Sequence, residues 1–365
     1  MKVIALILIL SAAASARPRR WELIPTKDGG VELFDLTQPL PEVRVDASDV
    51  VFQLYTNGRR ERSSAAVEVG SDTEVVAAPV PEADDDSGEV VADTVEIYSA
   101  VRLSPNPSSP QILTTGGSYV GNFVASKQTK FVTHGWMNQG DHMSAIRDGW
   151  LQAGDYNVIV VDWSVHAGNW NYAQAKAAVS GVGEVVAAFI NWLASLGAST
   201  NNMQLVGHSL GAHVFGVAGN RVTAGRLNRI TGMDPAAPLF GIESTADRLD
   251  ASDASFVQVI HTSIVFPGWK DALGSVDFYP NGGSSQPGCG IDAGGVCSHG
   301  RSTEFFAESI TTATGFNAHQ CGSWNEYNSG SCDGNPTALM GETVSTSASR
   351  TYYLATASSS PYALG

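Results

Sequence analysis

Between Arg62 and Arg102 the chain has no lysine or arginine. Ten carboxylates, from Glu68 to Glu96, fall in that window, so the formal charge of −15 belongs largely to one segment and the rest carries about −5. Such a chain has no electrostatic reason to hold nucleic acid or an anionic membrane, and nucleic acid is excluded as a partner. Cysteine is scarce: Cys289, Cys297, Cys321 and Cys332 are the only four. Neither short spacing among them is the C-x₂-C of a structural zinc site. Three disulfide pairings are open, and the sequential one would close two small loops worth roughly 2.5–3 kcal/mol each. Acceptors for N-glycosylation are missing, because Asn106 and Asn335 both precede proline. No run reaches the ~20 apolar residues that span a bilayer, so no transmembrane anchor is expected. Instead Lys2, the apolar residues 3–10 and Ala14-Ser15-Ala16 read as an export signal over 1–16. The protein is therefore expected to be secreted and extracellular, where disulfides persist.

Residues 17–48 are polar and weakly periodic, open on Arg17-Pro18-Arg19-Arg20, and read as a propeptide-like segment. A strand is expected at 50–56. The acidic stretch 63–96 then interrupts the chain as a mobile insertion. Arg59-Arg60-Glu61-Arg62 at its start reads as a solvated cluster, with a protease processing site as the alternative. From Thr129 onward the pattern alternates. Strands are expected at 131–133, 157–163, 203–206, 229–233, 256–260 and 276–279. Between them, Tyr172, Val179, Val182, Val186, Phe189 and Leu193 recur at helical spacing and predict one long amphipathic helix. Apolar strand cores alternating with helices define an α/β fold, a mostly parallel central sheet with helices on both faces. One domain over 49–365 is expected.

What is present is concentrated around residue 209. Met203-Gln204-Leu205-Val206 leads into Gly207-His208-Ser209-Leu210-Gly211, and a helix-compatible stretch, 212–222, follows. That is the strand, sharp turn and helix of a nucleophile elbow, which lifts the serine Oγ to the rim of the sheet and aims the Leu210 amide at an oxyanion. A serine hydroxyl needs a histidine to take its proton and a carboxylate to fix that histidine. In α/β-hydrolases the chain order is serine, acid, histidine. Asp234 ends the apolar stretch 230–233, at the edge where the serine emerges, and is the expected acid. Asp250, Asp253 and Asp277 compete less well, since the first two flank a polar turn and Asp277 enters a strand. His261, His299 and His319 follow. His299, in Cys297-Ser298-His299-Gly300-Arg301, is expected on a loop from which it can swing over the serine. His134-Gly135-Trp136 leaves the preceding strand, and the Trp136 amide is the natural second oxyanion donor; losing one such donor costs roughly 3 kcal/mol of barrier.

Six segments together resemble the pancreatic lipase family over residues 51–341, the acidic insertion excepted. They are Thr133-His134-Gly135-Trp136, Gly207-His208-Ser209-Leu210-Gly211, Met233-Asp234-Pro235-Ala236, Arg248-Leu249-Asp250-Ala251-Ser252-Asp253, Asp277-Phe278-Tyr279-Pro280-Asn281-Gly282-Gly283 and Cys297-Ser298-His299-Gly300-Arg301-Ser302. The resemblance implies an α/β-hydrolase fold and a Ser209, Asp234, His299 triad. It also implies an oxyanion hole of the Trp136 and Leu210 amides and the disulfides Cys289–Cys297 and Cys321–Cys332. The implied activity is hydrolysis of fatty-acyl esters of glycerolipids at an interface or in micelles. A yolk-type lipid-binding protein on the same fold is the non-catalytic alternative. No cofactor is required by this chemistry, although residues 248–253 resemble the family's calcium loop, with Asp250 and Asp253 as ligands. Thr245 stands where some relatives carry an acid, and Ser275 where many have histidine.

Only residues 290–296 separate Cys289 from Cys297, a stretch too short and glycine-rich for the amphipathic lid helix of triglyceride lipases. The loop 263–276 is short too, and trimming of this kind marks phospholipase A1 and galactolipase members. The chain stops soon after Cys332, so the family's C-terminal β-sandwich and its colipase platform are expected to be missing. A phospholipase A1 or galactolipase is therefore the expectation, with a triacylglycerol lipase as the alternative.

Overall fold

The structure, a computed structural model, describes residues 21–57, 109–118 and 120–365. The export signal, Arg17–Arg20, the Arg59–Arg62 cluster and the acidic stretch 63–96 lie outside the described residues.

Eleven strands form one sheet. Seven of them are parallel: β5 (Thr129–Thr133), β6 (Asn157–Asp162), β7 (Met203–His208), β8 (Arg229–Met233), β9 (Phe256–Ile260), β10 (Val276–Pro280) and β13 (Arg350–Leu354). The antiparallel strands β3 (Val51–Tyr55) and β4 (Gln111–Leu113) close one side, and β11 (Phe316–Gln320) and β12 (Thr337–Met340) the other. The parallel strands are rich in apolar residues, most of them buried, because both faces of the sheet are covered. Successive residues feed opposite cores: Phe131, Ile159, Val161, Leu205 and Ile230 join one cluster, while Val132, Val158, Val160, Val206 and Met233 join the other. The first cluster lies under α3 (Tyr172–Ser195) and α4 (Leu210–Arg221); the second lies under α1 (Ser144–Ala153) and α5 (Val296–Thr311). Two short helices, α2 (Ser164–Ala167) and α6 (Trp324–Asn328), complete the set among the described residues.

The long helix starts where expected, at Asn171, whose side chain accepts from Gln174 N. By length and composition α3 could cross a bilayer, which corrects the expectation that no later stretch could. Its thirteen buried residues instead face the sheet and α4. Gly183 allows this close crossing, since a Cβ there would lie 2.6 Å from Val217 Cβ. Within 17–48, the described residues form a hairpin of β1 (Trp21–Pro25) and β2 (Val31–Asp35) that the weak periodicity did not announce. Ile24 of that hairpin belongs to the first core cluster.

Candidate functional site

All seven parallel strands present their C-terminal ends to one edge, and Ser209, Asp234 and His299 lie there. Ser209 sits between β7 and α4 with φ 57° and ψ −123°, a backbone conformation L-residues rarely adopt. Two close approaches hold it. A Cβ on Gly207 would lie 2.3 Å from the Gly211 carbonyl, and one on Gly211 would lie 2.4 Å from the His134 carbonyl. Only glycine fits either place, and the Ser209 amide is tied to Met233 O at 3.0 Å.

Asp234 follows β8, is fully buried, and also has a positive φ, 44°. Its Oδ1 accepts from Thr262 N at 2.7 Å and Ser263 N at 3.1 Å. Its Oδ2 accepts from Ser263 Oγ at 2.5 Å and from His299 Nδ1 at 2.6 Å. Burial alone would raise the carboxyl's pKa, but the His299 bond and charge, with the Ser263 and Thr262 donors, hold it below its ordinary value. Asp234 is therefore an ionised acceptor aimed at one histidine nitrogen.

His299 departs from expectation in one respect. It lies in the first turn of α5 rather than on a loop. Its amide donates to Gly295 O at 2.8 Å, and the Asp292 carboxylate accepts from Cys297 N and Ser298 N at 3.2 and 2.7 Å, so the sequence around it caps and starts a helix. The side chain is held rather than free to swing. Among the described residues no hydrogen bond yet joins Ser209 Oγ to His299. Such bonds are often long before substrate binds. His299 is nonetheless placed beside the elbow: His208 Nε2 donates to His299 O at 3.2 Å, and the two rings lie 4.5 Å apart. Burial, followed by the His299 charge, pushes the His208 imidazole down to about 3, so this neighbour stays neutral.

The Leu210 amide opens α4, where backbone N–H groups have no partner within the helix. On the other side Gly135 presses against the serine, as a Cβ there would lie 2.5 Å from Ser209 Cβ. Trp136 follows it, anchored by its Nε1 to Asn169 O at 2.7 Å and edge-on to Tyr172 at 5.3 Å. Beneath this turn, His134 Nε2 faces Asp162 Oδ1 at 3.2 Å, and the same carboxylate accepts from Ser164 N. Burial would raise Asp162, yet these bonds leave it far below its ordinary value. A depressed carboxylate contributes stability present above its unfolded pKa of about 4 and lost as pH falls through the folded value. Asp162→Asn is thus expected to flatten the decline of melting temperature between about pH 4 and pH 2. An unchanged acid limb in thermal melts would refute this.

The rival residues have other partners. His261 Nε2 faces Asp277 Oδ1 at 2.8 Å and its Nδ1 faces Trp269 O, a buried pair away from the serine. His213 bridges Ala236 O and Leu249 N, and burial holds it neutral, at about 3. His319 lies on β11, toward the far side of the sheet. Both sequential disulfides, Cys289–Cys297 and Cys321–Cys332, are formed, which leaves no thiolate for zinc. Ser263 was missed by sequence reasoning. Its only signal is position, three residues past β9 and so at the edge where Asp234 emerges.

In residues 248–253, Asp250 N donates to Asp253 Oδ2 at 2.7 Å, and Ser252 N to Asp250 Oδ1 at 2.9 Å. Asp253 is buried, its Oδ1 has no partner, and burial pushes its carboxyl up to about 8. An orphaned carboxylate oxygen beside a second carboxylate fits a hard cation. Among the described residues no third carboxylate joins them.

Fold and constellation define an α/β-hydrolase fold with a serine, a histidine and an aspartate at the C-terminal edge of its parallel strands. Residues 106–362 match the family model described as Lipase, and the chain belongs to that family. It is similar to pancreatic triacylglycerol lipase of Myocastor coypus, 37% identical over 66% of this chain and 58% of that protein. Lipase member H of Oryctolagus cuniculus is 35% identical over 60% of this chain and 52% of its own length. Pancreatic lipase-related protein 2 of Cavia porcellus is 36% identical over 58% and 50%. The chain thus spans between half and three fifths of the length of these relatives. Among solved structures, a phospholipase/carboxylesterase from Dyadobacter fermentans overlays with a TM-score of 0.30 at 11% identity, over 37% of this chain and 64% of its own.

Proposed function

We propose that the protein is a secreted carboxylic-ester hydrolase acting on fatty-acyl glycerolipids, with a preference for phospholipids or galactolipids. The observation that carries the reaction is the Asp234 to His299 hydrogen bond placed beside a strained serine elbow. Ser209 Oγ attacks the ester carbonyl while His299 Nε2 takes its proton, and the oxyanion forms between the Trp136 and Leu210 amides. His299 returns the proton to the leaving alcohol. Water, deprotonated by His299, then attacks the acyl-enzyme and releases the fatty acid. Asp234 stays ionised throughout and steadies the imidazolium.

A lipid substrate is supported by the rim of the site. Met137, Val165, Trp170, Ile242, Val265 and Ile291 are exposed apolar side chains in connections leaving the C-terminal ends of β5, β6, β8, β9 and β10. Apolar surface grouped around a polar site suits a substrate presented by a lipid aggregate. The seven-residue loop inside Cys289–Cys297 supports the phospholipid preference, because residues 290–295 form no lid helix. Colipase is not expected to be needed. The purified protein should release fatty acid from phosphatidylcholine faster than from triolein, against a Ser209→Ala control. Faster triolein hydrolysis would make it a triacylglycerol lipase, and no release above the control would favour a lipid-binding role.

We also propose that Asp250 and Asp253 would hold calcium as a structural ion that steadies the turn 248–253. Millimolar calcium is then expected to raise the melting temperature by several degrees in the wild type and not in Asp253→Asn. An equal response in both would remove calcium from this site.

A further inference from the structure

The hairpin turn at residues 26–30, closed by Gly29 N to Thr26 O and Thr26 N to Gly30 O, reaches the short loop beside the candidate base. Gly294 lies against it: a Cβ there would sit 2.5 Å from the Gly29 carbonyl. On the other side Gly295, with φ 67°, lies so close to the Phe266 carbonyl that a Cβ would overlap it at 1.9 Å. The Gly294-Gly295 peptide is therefore wedged between two backbone carbonyls from distant parts of the chain. Gly295 O then accepts from His299 N at 2.8 Å. The contact path runs from hairpin turn to wedged peptide to the backbone of the histidine.

The hairpin is itself well anchored. Ile24 is 2% exposed in the first core cluster, and Phe34, Leu36, Leu40, Val43 and Val45 pack on the same cluster. Strand β1 lies against α3, whose first residue Tyr172 touches the Trp136 ring. Farther along, Asp49 Oδ2 faces His166 Nε2 at 3.0 Å and ties the segment to α2. The N-terminal segment thus meets both flanks of the site, the side of the oxyanion turn and the side of the base.

We propose that the N-terminal hairpin is a positioning element of the candidate active site, bracing the Gly294-Gly295 peptide and through it the turn of α5 that carries His299. This rests on His299 being the base. It changes the expected meaning of residues 17–48: a segment built into the core and the base turn cannot be shed as a propeptide without loss of activity.

Gly294→Ala tests the brace, because Gly294 does not have a left-handed φ and its Cβ is penalised only by what it meets. In the full chain, kcat on a soluble p-nitrophenyl ester should fall about tenfold with KM little changed, and hydrogen exchange at the His299 amide should accelerate. Ile24→Ala, which loosens the hairpin, should produce the same pattern. In the double variant the loosened turn yields to the new methyl, so the loss should be no greater than in Ile24→Ala alone. Multiplicative losses, or an Ile24→Ala protein with normal kcat and normal exchange at His299, would overturn the proposal. If Ile24→Ala does not fold, Leu36→Ala is the release variant. Labelling of Ser209 by a fluorophosphonate separates the two readings. A wild type that neither labels nor hydrolyses defeats the hydrolase assignment, while exchange at His299 still decides whether the hairpin braces α5.

Discussion

Ser209→Ala is expected to lower hydrolysis of a soluble ester by about 10⁴–10⁶-fold while leaving the fold intact. The loss is large because the reaction depends on one covalent intermediate, and no other hydroxyl lies at that place in the elbow. Ser263 is the nearest serine in the acid–base network, but its Oγ is bound to Asp234 Oδ2 and cannot replace the nucleophile. The Trp136 and Leu210 amides remain in the variant, so a residual rate above water is expected from oxyanion binding alone. Stability should hardly move. Alanine at φ 57° carries much the same backbone strain as serine, and residue 209 is held by its amide to Met233 O, which the variant keeps. Thermal melts beside the rate measurement separate lost chemistry from lost structure. Substantial activity in a folded Ser209→Ala protein would falsify the proposed mechanism.

The largest stability change is expected at the opposite edge of the sheet, in Glu342→Gln. Lys130, near the start of β5, is 2% exposed, and its Nζ donates to Glu342 Oε1 at 2.5 Å and Gln204 Oε1 at 2.6 Å. Glu342 Oε2 also accepts from Trp150 Nε1 and Gln204 Nε2, each at 3.0 Å. Arg229, at the start of β8, donates to the carbonyls of Glu342 and Val344. The half-buried Glu342 therefore fastens the connection between β12 and β13, its carboxylate reaching β5, β7 and α1 and its backbone carbonyl taking Arg229 of β8. Burial disfavours the Lys130 ammonium, and the Glu342 charge is the main effect opposing that. Removing the charge leaves a buried cation without its counter-ion, at a cost of about 3–5 kcal/mol. At roughly 2 °C per kcal/mol for a domain of this size, the melting temperature should drop by about 6–10 °C. Lys130→Met/Glu342→Gln should recover most of the loss, because a pair removed together leaves no unpaired charge. If the double variant melts no higher than the single one, the unpaired lysine is not the cause.

The site shows how far local pattern reaches. Gly207, Ser209 and Gly211 were legible because a nucleophile elbow is written in five consecutive residues, although only the Gly207 contact with Gly211 is local and Gly211 is pressed by the distant His134 carbonyl. Asp234 was legible from its place at the end of an apolar stretch. Ser263 was not, since its hydroxyl matters only once β9 lies beside β8. For His299, order along the chain left three histidines open and the family resemblance singled out this one, but its setting was misjudged. Gly295 and Asp292 start a helix where a disulfide-pinned loop was expected.

The sequence by itself determined the alternation of strand and helix, the parallel character of the central sheet and the position of the serine. These follow from side-chain periodicity and turn chemistry within a few residues. Tertiary structure alone paired the second carboxylate and histidine: Asp277 takes His261, sixteen residues before it. It also inserted β13 between β10 and β11, closed the two disulfides, brought Lys130 to Glu342 across 212 residues, and set the N-terminal hairpin against Gly294. The physical reason is that each of these contacts joins residues whose local patterns are mutually silent. Their encounter is fixed by burial of two sheet faces and by backbone pairing, neither of which is encoded at either residue alone.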